Sequence, residues 1–383
     1  MWNQLPFDIL ERIFSFLPLD CLARATSACK HWHTCAKTRP SQYQAMPNNS
    51  SPWFLAIQKR SGGGGHPCYC YAHNPSLNSW HSLPLDFLPN PIRPISPIGS
   101  LLLYRRPSSF SCSSSSSPSI QLALFNPFTR QHRLLPSLIT PRINPAVGVV
   151  EGGCGTQSPF KVYVAGGIST SGGSAASSYE PTLEMYDSEA DKWQSLGSMP
   201  IEFAVRLTVW TPNESVFSGG ILYWMTSARA YSVVGFDVGN GSWKELKVPM
   251  ADRLEFAALV RRKGRLALVG GAASAVEAWV WELDEYYQWE LVETVPFEMG
   301  KRFLMGKRSW YSTKCVGTDE AICLYKELGS EILVWREDIA VKGRWEWILV
   351  AGCSSIRKEP VPNFPIKGIL LYPSLASSYI FNI

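Results

Sequence analysis

From residue 2 to residue 37 the apolar positions recur with the period of a helix. Leu5, Ile9, Leu10, Ile13, Phe14 and Leu17 fall at i, i+4, i+5 and i+8 spacing, a wide apolar face. Pro6 stands where a helix can start, and Asp8 and Glu11 suit the positive end of the helix dipole. Pro18 interrupts the run. Asp20 is placed to cap a second helix carrying Leu22, Ala25 and Ala28, and a third short segment, CKHWHTCAK, ends in a basic patch and Pro40. Three helices this short bury too little surface to stand alone, so the segment is expected to lean on a partner or a neighbouring domain.

From about residue 50 the period changes. Short runs of apolar, aromatic and β-branched residues alternate with clusters of Gly, Pro, Asn and Ser. WFLAI (53–57), SLLLY (100–104), KVYVAGG (161–167), GILYWM (220–225), RLALVGG (265–271), AICLY (321–325) and EWILV (346–350) are examples, and no long helical pattern interrupts them. The expectation is an all-β region. SSFSCSSSSSPS (108–119) reads as a flexible serine-rich loop open to phosphorylation, and STSGGSAASSYEP (169–181) as a second long connection.

The strand-like runs are organised in repeats. In YVAGG…TLEMYDSEADKWQSLGSMP, ILYWM…YSVVGFDVGNGSWKELKVP and LALVGG…EAWVWELDEYYQWELVETVP, an apolar strand is followed by a second that ends in Asp or just before it. A turn, a Trp and a Pro come next. These Trp are 193, 243 and 289, and Trp345 and Trp80 extend the series, with His132 standing at the Trp position of the remaining unit. Six units with a period near 50 and four strands each are the signature of a β-propeller. Gly-Gly is expected to give a positive-φ exit from a crowded strand, and the Trp to cover the next blade. The first unit is one strand short. Because an open ring leaves sheet edges unpaired, a strand within 368–382 is expected to complete it.

Composition narrows the chemistry. The chain has 383 residues, 45% of them hydrophobic and 17% charged, which excludes a mainly disordered protein. Its net charge of +5 is no mandate for nucleic acid, and no apolar run is long enough to span a membrane. The N-terminus lacks the pattern of a secretory signal, so the ten Cys, none in C-x-x-C, are expected to be free thiols in a reducing compartment, the cytoplasm or the nucleus. None of the six His lies beyond residue 132, which removes imidazole chemistry from the C-terminal two thirds. Cys29, His31, His33 and Cys35 lack zinc-finger spacing, and Asp187, Glu189 and Asp191 read as a solvated hairpin before Trp193. No P-loop, G-x-S-x-G or H-E-x-x-H occurs. Neither a catalytic residue nor a cofactor or metal site is expected.

Two family resemblances follow. The repeats of residues 50–383 resemble kelch repeats, most strongly in the units ending at Trp193, Trp243 and Trp289. The segment LPFDILERIFSFLPLDCLARATSACKHWHT, with its Leu-Pro start, Pro-x-Asp turn and closing Cys-Lys-x-Trp, resembles an F-box. The expected architecture is therefore an all-α F-box of three helices over residues 1–45, followed by an all-β kelch-type propeller of six blades over residues 46–383. The combination is similar to the plant F-box/kelch-repeat proteins. That implies a substrate receptor of a Skp–cullin–F-box (SCF) ubiquitin ligase, non-catalytic itself, with partners in the Skp adaptor, through it a cullin, and a protein substrate. Leu5, Pro6, Leu10, Ile13, Leu17, Leu22 and Trp32 are the expected adaptor-binding residues. The substrate is expected on the loops that join successive blades and those that follow the Gly-Gly strands. There Arg142, Arg253 and Arg302, with Trp310 and Tyr311, would take an acidic or phosphorylated peptide. The competing reading is an F-box/kelch scaffold or transcriptional cofactor acting outside ubiquitin ligation. An enzyme like the copper radical oxidases that kelch propellers resemble would need His and Tyr ligands, and the absence of His after residue 132 argues against it.

Overall fold

A computed structural model of the chain describes residues 5–15, 17, 19–38, 51–58, 69–88, 92–106, 119–153, 158–169, 178–209, 215–227, 230–338, 343–356, 358–375 and 378–381. Most of the serine-rich segment and of the 169–181 connection lies outside these residues, as do Cys68, Cys112 and Cys154.

The N-terminal segment folds as three helices: α1 (Phe7–Ser15), α2 (Leu19–Ala28) and α3 (Lys30–Thr38). The Pro6 carbonyl accepts the first intrahelical bond of α1, from the Leu10 N–H at 3.0 Å. Helix α2 begins at Leu19, so Asp20 stands inside its first turn rather than at the cap. Leu10, Phe14, Leu22, Ala25 and Cys35 form a small core, with Leu5, Leu17 and Trp32 packed around it. Phe14 meets Trp32 edge-on at 5.6 Å between ring centroids, and the His31 ring bonds the Leu5 carbonyl at 2.8 Å. The Cys and His side chains of this segment thus have separate roles. Cys35 donates to the Phe7 carbonyl, the Cys29 sulfur accepts from the Trp32 N–H, and His33 is exposed.

Six four-stranded antiparallel sheets follow. From the inside outwards, blade 2 is Arg93–Ile98, Leu101–Arg106, Gln121–Phe125 and His132–Leu134. Blade 3 is Ala146–Glu151, Phe160–Ala165, Thr182–Asp187 and Lys192–Ser198. Blade 4 is Ser215–Ser218, Ile221–Ser227, Tyr231–Asp237 and Trp243–Lys247. Blade 5 is Leu254–Arg262, Arg265–Ala272, Ala278–Leu283 and Trp289–Thr294. Blade 6 is Lys314–Gly317, Ala321–Tyr325, Ile332–Glu337 and Trp345–Val350. Blade 1 is composite. Its inner strand is Ile366–Leu371 from the end of the chain, paired with Trp53–Gln58 in the register Trp53↔Leu371 to Gln58↔Ile366, and Tyr69–Asn74 and Ser79–Pro84 complete it. The closing strand also touches the inner strands of blades 2 and 6, so the ring is shut by a tail strand as expected, although that strand begins at Ile366, two residues before the expected range of 368–382.

All five repeat Trp and His132 lie at or next to the start of an outer strand. They cover the preceding blade, not the next one. The indole N–H of Trp193 donates to the Pro136 carbonyl beyond blade 2, that of Trp289 to Lys247 of blade 4, and that of Trp80 to Ala351 beyond blade 6, at 2.8, 2.8 and 2.9 Å. The Asp or Asn closing the third strand caps the next turn. Asp187 accepts the Glu189 N–H, Asp237 that of Gly239, and Asp284 that of Tyr286, each at 2.9 Å. The acidic cluster of blade 3 is thus turn chemistry, with Asp191 paired to Arg133 at 2.6 Å.

The Gly-Gly pairs do two different jobs. Gly166 and Gly167 have φ of +66° and +108°, the turn conformation expected. Gly270 and Gly271 stay in the strand. A Cβ on Gly271 would lie 2.4 Å from the Trp310 ring, so glycine is there for close approach. The propeller also carries short helices that the strand pattern did not predict. Ile201–Val209 and Phe297–Phe303 start directly after Pro200 and Pro296 on the connections leading into blades 4 and 6. No described helix is long and apolar enough to cross a membrane.

Candidate functional site

Antiparallel strands alternate in direction, so every blade presents two kinds of connection. On one face lie the turns between first and second and between third and fourth strands. On the other lie the inter-blade connections and the turns between second and third strands. The chain enters blade 1 at Trp53, opposite Leu371, where the inner strand ends, and the C-terminal segment leaves from that same face. Leu375 of this segment packs against the core of the three helices. The helices therefore sit on the face where the inner strands end, and the expected substrate rim is the opposite one.

The helical segment offers an apolar stripe to solvent. Along α1, adjacent residues project about 100° apart, so a wide apolar face divides into two stripes. Leu10 and Phe14 turn inward and are fully buried. Pro6, Ile9 and Ile13, at i, i+3 and i+7, turn outward with Phe7, and Phe7, Ile9 and Ile13 are 37%, 45% and 37% exposed. The seven expected adaptor-binding residues thus divide. Pro6 and Ile13 are exposed, Leu5, Leu17 and Trp32 are half-buried, and Leu10 and Leu22 are interior residues that support the surface from beneath. Two further surface residues are Phe7, which the spacing argument did not include, and Ile9, which it placed on the apolar face but not among the adaptor-binding residues. Their signal was the Ile9-Leu10 and Ile13-Phe14 doublets, which cannot both face one core.

The five expected substrate-rim residues also divide, and two of them, Arg142 and Trp310, are interior residues, contrary to expectation. Arg142 is fully buried and makes an ion pair with Glu184, itself 1% exposed. The Arg142 guanidinium also donates to the carbonyls of Thr140 (3.2 Å), Gly166 (3.1 Å) and Thr182 (3.0 Å), while Glu184 accepts the Ile139 and Thr140 N–H groups, both at 2.9 Å. With its charge matched inside blade 3, this Arg has no fork to offer a ligand. Trp310 is also fully buried, stacked on Phe303 and donating from its indole to the Ala275 carbonyl at 3.1 Å. Gly271 makes room for it.

Arg253, Arg302 and Tyr311 are exposed. Arg302 lies in the helix Phe297–Phe303, far from the start of its inner strand, so the three Arg are not at equivalent positions. Its guanidinium donates to Glu331 through Nε at 2.9 Å and through a second nitrogen. The connection between blades 5 and 6 is nonetheless the exposed part of the rim with most character. Met305 and Tyr311 are 77% and 83% exposed, and Lys301, Lys307 and Arg308 are exposed beside them. A buried and a half-buried anchor hold this loop. Trp310 fills the blade behind it, and Glu255 accepts the Trp310 N–H at 2.7 Å and the Ser309 hydroxyl at 3.0 Å. Below it, burial and the nearby charge of Lys307 hold the Lys326 ammonium below its usual range. A further positive group would add to this repulsion, and a carboxylate would relieve it.

The mouth of the central channel on the helical face is lined by every blade's inner strand or the residues after it, Glu151, Arg261, Thr318 and Tyr372 among them. Glu151 is solvent-exposed at this mouth, and its carboxyl accepts the Gly99 N–H at 3.2 Å.

The comparisons agree with this architecture. The F-box-like family matches residues 2–43, and the Kelch motif matches residues 161–200, the second to fourth strands of blade 3. An F-box/kelch-repeat protein of Arabidopsis thaliana is 27% identical over 99% of this chain and 88% of its own length. F-box only protein 6 of the same plant is 24% identical over 77% of this chain, which spans 59% of that relative. Protein UNUSUAL FLORAL ORGANS, also from Arabidopsis thaliana, is 24% identical over 91% of this chain and 78% of its own length.

Proposed function

From the pairing of an F-box-like segment with a kelch-type propeller, the make-up of plant F-box/kelch proteins, we propose that this chain is the substrate receptor of an SCF-type ubiquitin ligase. The F-box holds the Skp adaptor and through it a cullin, and the propeller holds the protein to be ubiquitinated. The receptor performs no bond-making step itself. It works in the cytoplasm, the nucleus or both, where such ligases meet their substrates.

One observation carries this reading. The core of the three helices is complete without Phe7, Ile9 and Ile13, yet α1 turns these large apolar side chains to solvent. A partner that covers them would gain about 1.5–3 kcal/mol for each side chain fully buried. Replacing Ile9 and Ile13 together by Asp is therefore expected to lower Skp co-precipitation at least tenfold while the helical circular dichroism stays unchanged. Undiminished capture by a folded double variant would refute adaptor docking on this stripe. Recovery of the adaptor without any cullin would favour the scaffold reading.

The substrate rim is proposed on the opposite face, centred on the connection between blades 5 and 6. Lys307 and Arg308 favour an acidic segment, and the fixed, exposed Tyr311 supplies an aromatic anchor. Arg253 and Arg302 extend the basic surface. In a pull-down of partners from plant extract, the variant K307E/R308E/Y311A should lose most propeller-bound protein and keep the adaptor. An unchanged partner profile would move the contact to another part of the rim.

A further inference from the structure

We infer that the C-terminal segment, through its described residues Tyr372–Leu375 and Ser378–Phe381, is a strap that sets the position of the F-box on the propeller. The segment continues from the inner strand of blade 1 and leaves the channel mouth at Tyr372. Its first anchor is polar: the Asn126 side-chain amide, fully buried at the end of the third strand of blade 2, donates to the Ser374 carbonyl at 3.3 Å. One residue on, Leu375 packs against the F-box core of Leu10, Phe14, Leu22, Ala25 and Cys35. The segment then reaches the seam between blades 2 and 3. There Ile380 is fully buried in a cluster that holds Leu135 of the blade 2 side and Tyr186 and Trp193 of blade 3. The Ile380 carbonyl accepts from Arg133 at 2.7 Å, and the same guanidinium reaches Asp191 of blade 3 at 2.6 Å.

The strap is therefore pinned to the propeller on both sides of Leu375, the residue that, among the described ones, packs against the F-box core. A contact made by one apolar side chain is weak when its backbone is free, because ordering the chain costs conformational entropy. Here that entropy is already lost to the Ser374 and Ile380 anchors, and Leu375 is presented to the F-box at a fixed place. Closing the ring needs the chain only as far as Leu371, so the residues beyond it have a purpose other than closure. The consequence for the function proposed above is geometric. Adaptor stripe and substrate rim lie on opposite faces, and the strap keeps the distance between them constant.

The test uses the full chain with one label at Arg12 and one at Glu189, both exposed, introduced through unnatural amino acids so that native Cys are untouched. Pulsed electron paramagnetic resonance reads the spread of distances between them. The native chain should give one narrow distribution. Leu375→Asp should at least double its width, while adaptor capture and the propeller melting transition are retained. A chain ending at Ser378 leaves Leu375 in place but frees its outer anchor, and should broaden the distribution too. This second variant covers the case in which Leu375→Asp unfolds the F-box, which loss of adaptor capture would report. If the truncated chain keeps the native width, the strap does not set the position and the inference fails. The readout needs neither ligase nor substrate, so it stands apart from the proposed function: adaptor capture that is absent in the native chain refutes that function, and an unchanged distance refutes only the strap.

Discussion

A chain ending after Pro365 should fail to give a soluble, folded propeller, whereas one ending after Tyr372 should give a folded ring. The first truncation removes the whole inner strand of blade 1. Ile366, Ile369, Leu370 and Leu371 on that strand are 0–4% exposed. At about 1.5–3 kcal/mol for each large apolar side chain, their loss amounts to roughly 6–12 kcal/mol, comparable with the ~5–15 kcal/mol that holds an ordinary domain together. It would also strip the partner from Trp53–Gln58, leaving an apolar edge of Trp, Phe, Leu and Ile open to other chains. The second truncation keeps every pair of that ladder and gives up only the strap. Soluble yield and a thermal melt of the two chains check this directly. Equal solubility and equal melting of the shorter chain would show that the ring does not depend on its closing strand.

Arg142→Ala should be the most costly single change of a charged side chain in the propeller, at about 3–5 kcal/mol, because it leaves the Glu184 carboxylate buried without a counter-charge. It also takes a donor from the carbonyls of Thr140 and Gly166, on two different connections on the rim face of blade 3, and from that of Thr182 at the start of its third strand. The double variant R142M/E184L removes both charges and should melt well above the single one. It should still fall short of the native chain, since the Ile139 and Thr140 N–H groups lose their acceptor. Differential scanning calorimetry of the three chains separates these cases. A single variant that melts like the native protein would mean that this pair is not structural. Arg302→Ala makes the useful contrast, because Arg302 is solvated beside Glu331 and its removal should leave the melt nearly unchanged.

The architecture was legible because it is periodic. Trp80, Trp193, Trp243, Trp289 and Trp345, with His132, mark the outer strands because each blade needs a large plate at the same place on its neighbour. The Asp before Trp193, Trp243 and Trp289 marks a turn because a carboxylate two residues upstream caps the free N–H groups of a tight hairpin. Ring closure by the tail followed from counting strands and from the cost of an unpaired edge. The three-helix segment was legible through Leu10, Phe14 and Leu22, which form its core.

The candidate site was legible only in part, for a physical reason that differs between its two halves. In α1, sequence spacing identifies an apolar face but cannot say which half of a wide face meets the other helices. Only the docking of α2 and α3 buried Leu10 and Phe14 and left Ile9 and Ile13 outside. On the rim, an Arg in a loop looks the same in sequence whether it is solvated or buried. Arg142 became an interior residue because the fold brings Glu184 to it from 42 residues away, and Trp310 because Gly271 of a neighbouring blade leaves a space of its shape. Local periodicity is written in neighbouring residues, so strands, turns, blades and helices could be read from the chain alone. The burial of a charge, the face of a helix that stays exposed and the path of the tail from blade 1 to the seam of blades 2 and 3 depend on groups far apart in sequence, and only the folded ring brings them together.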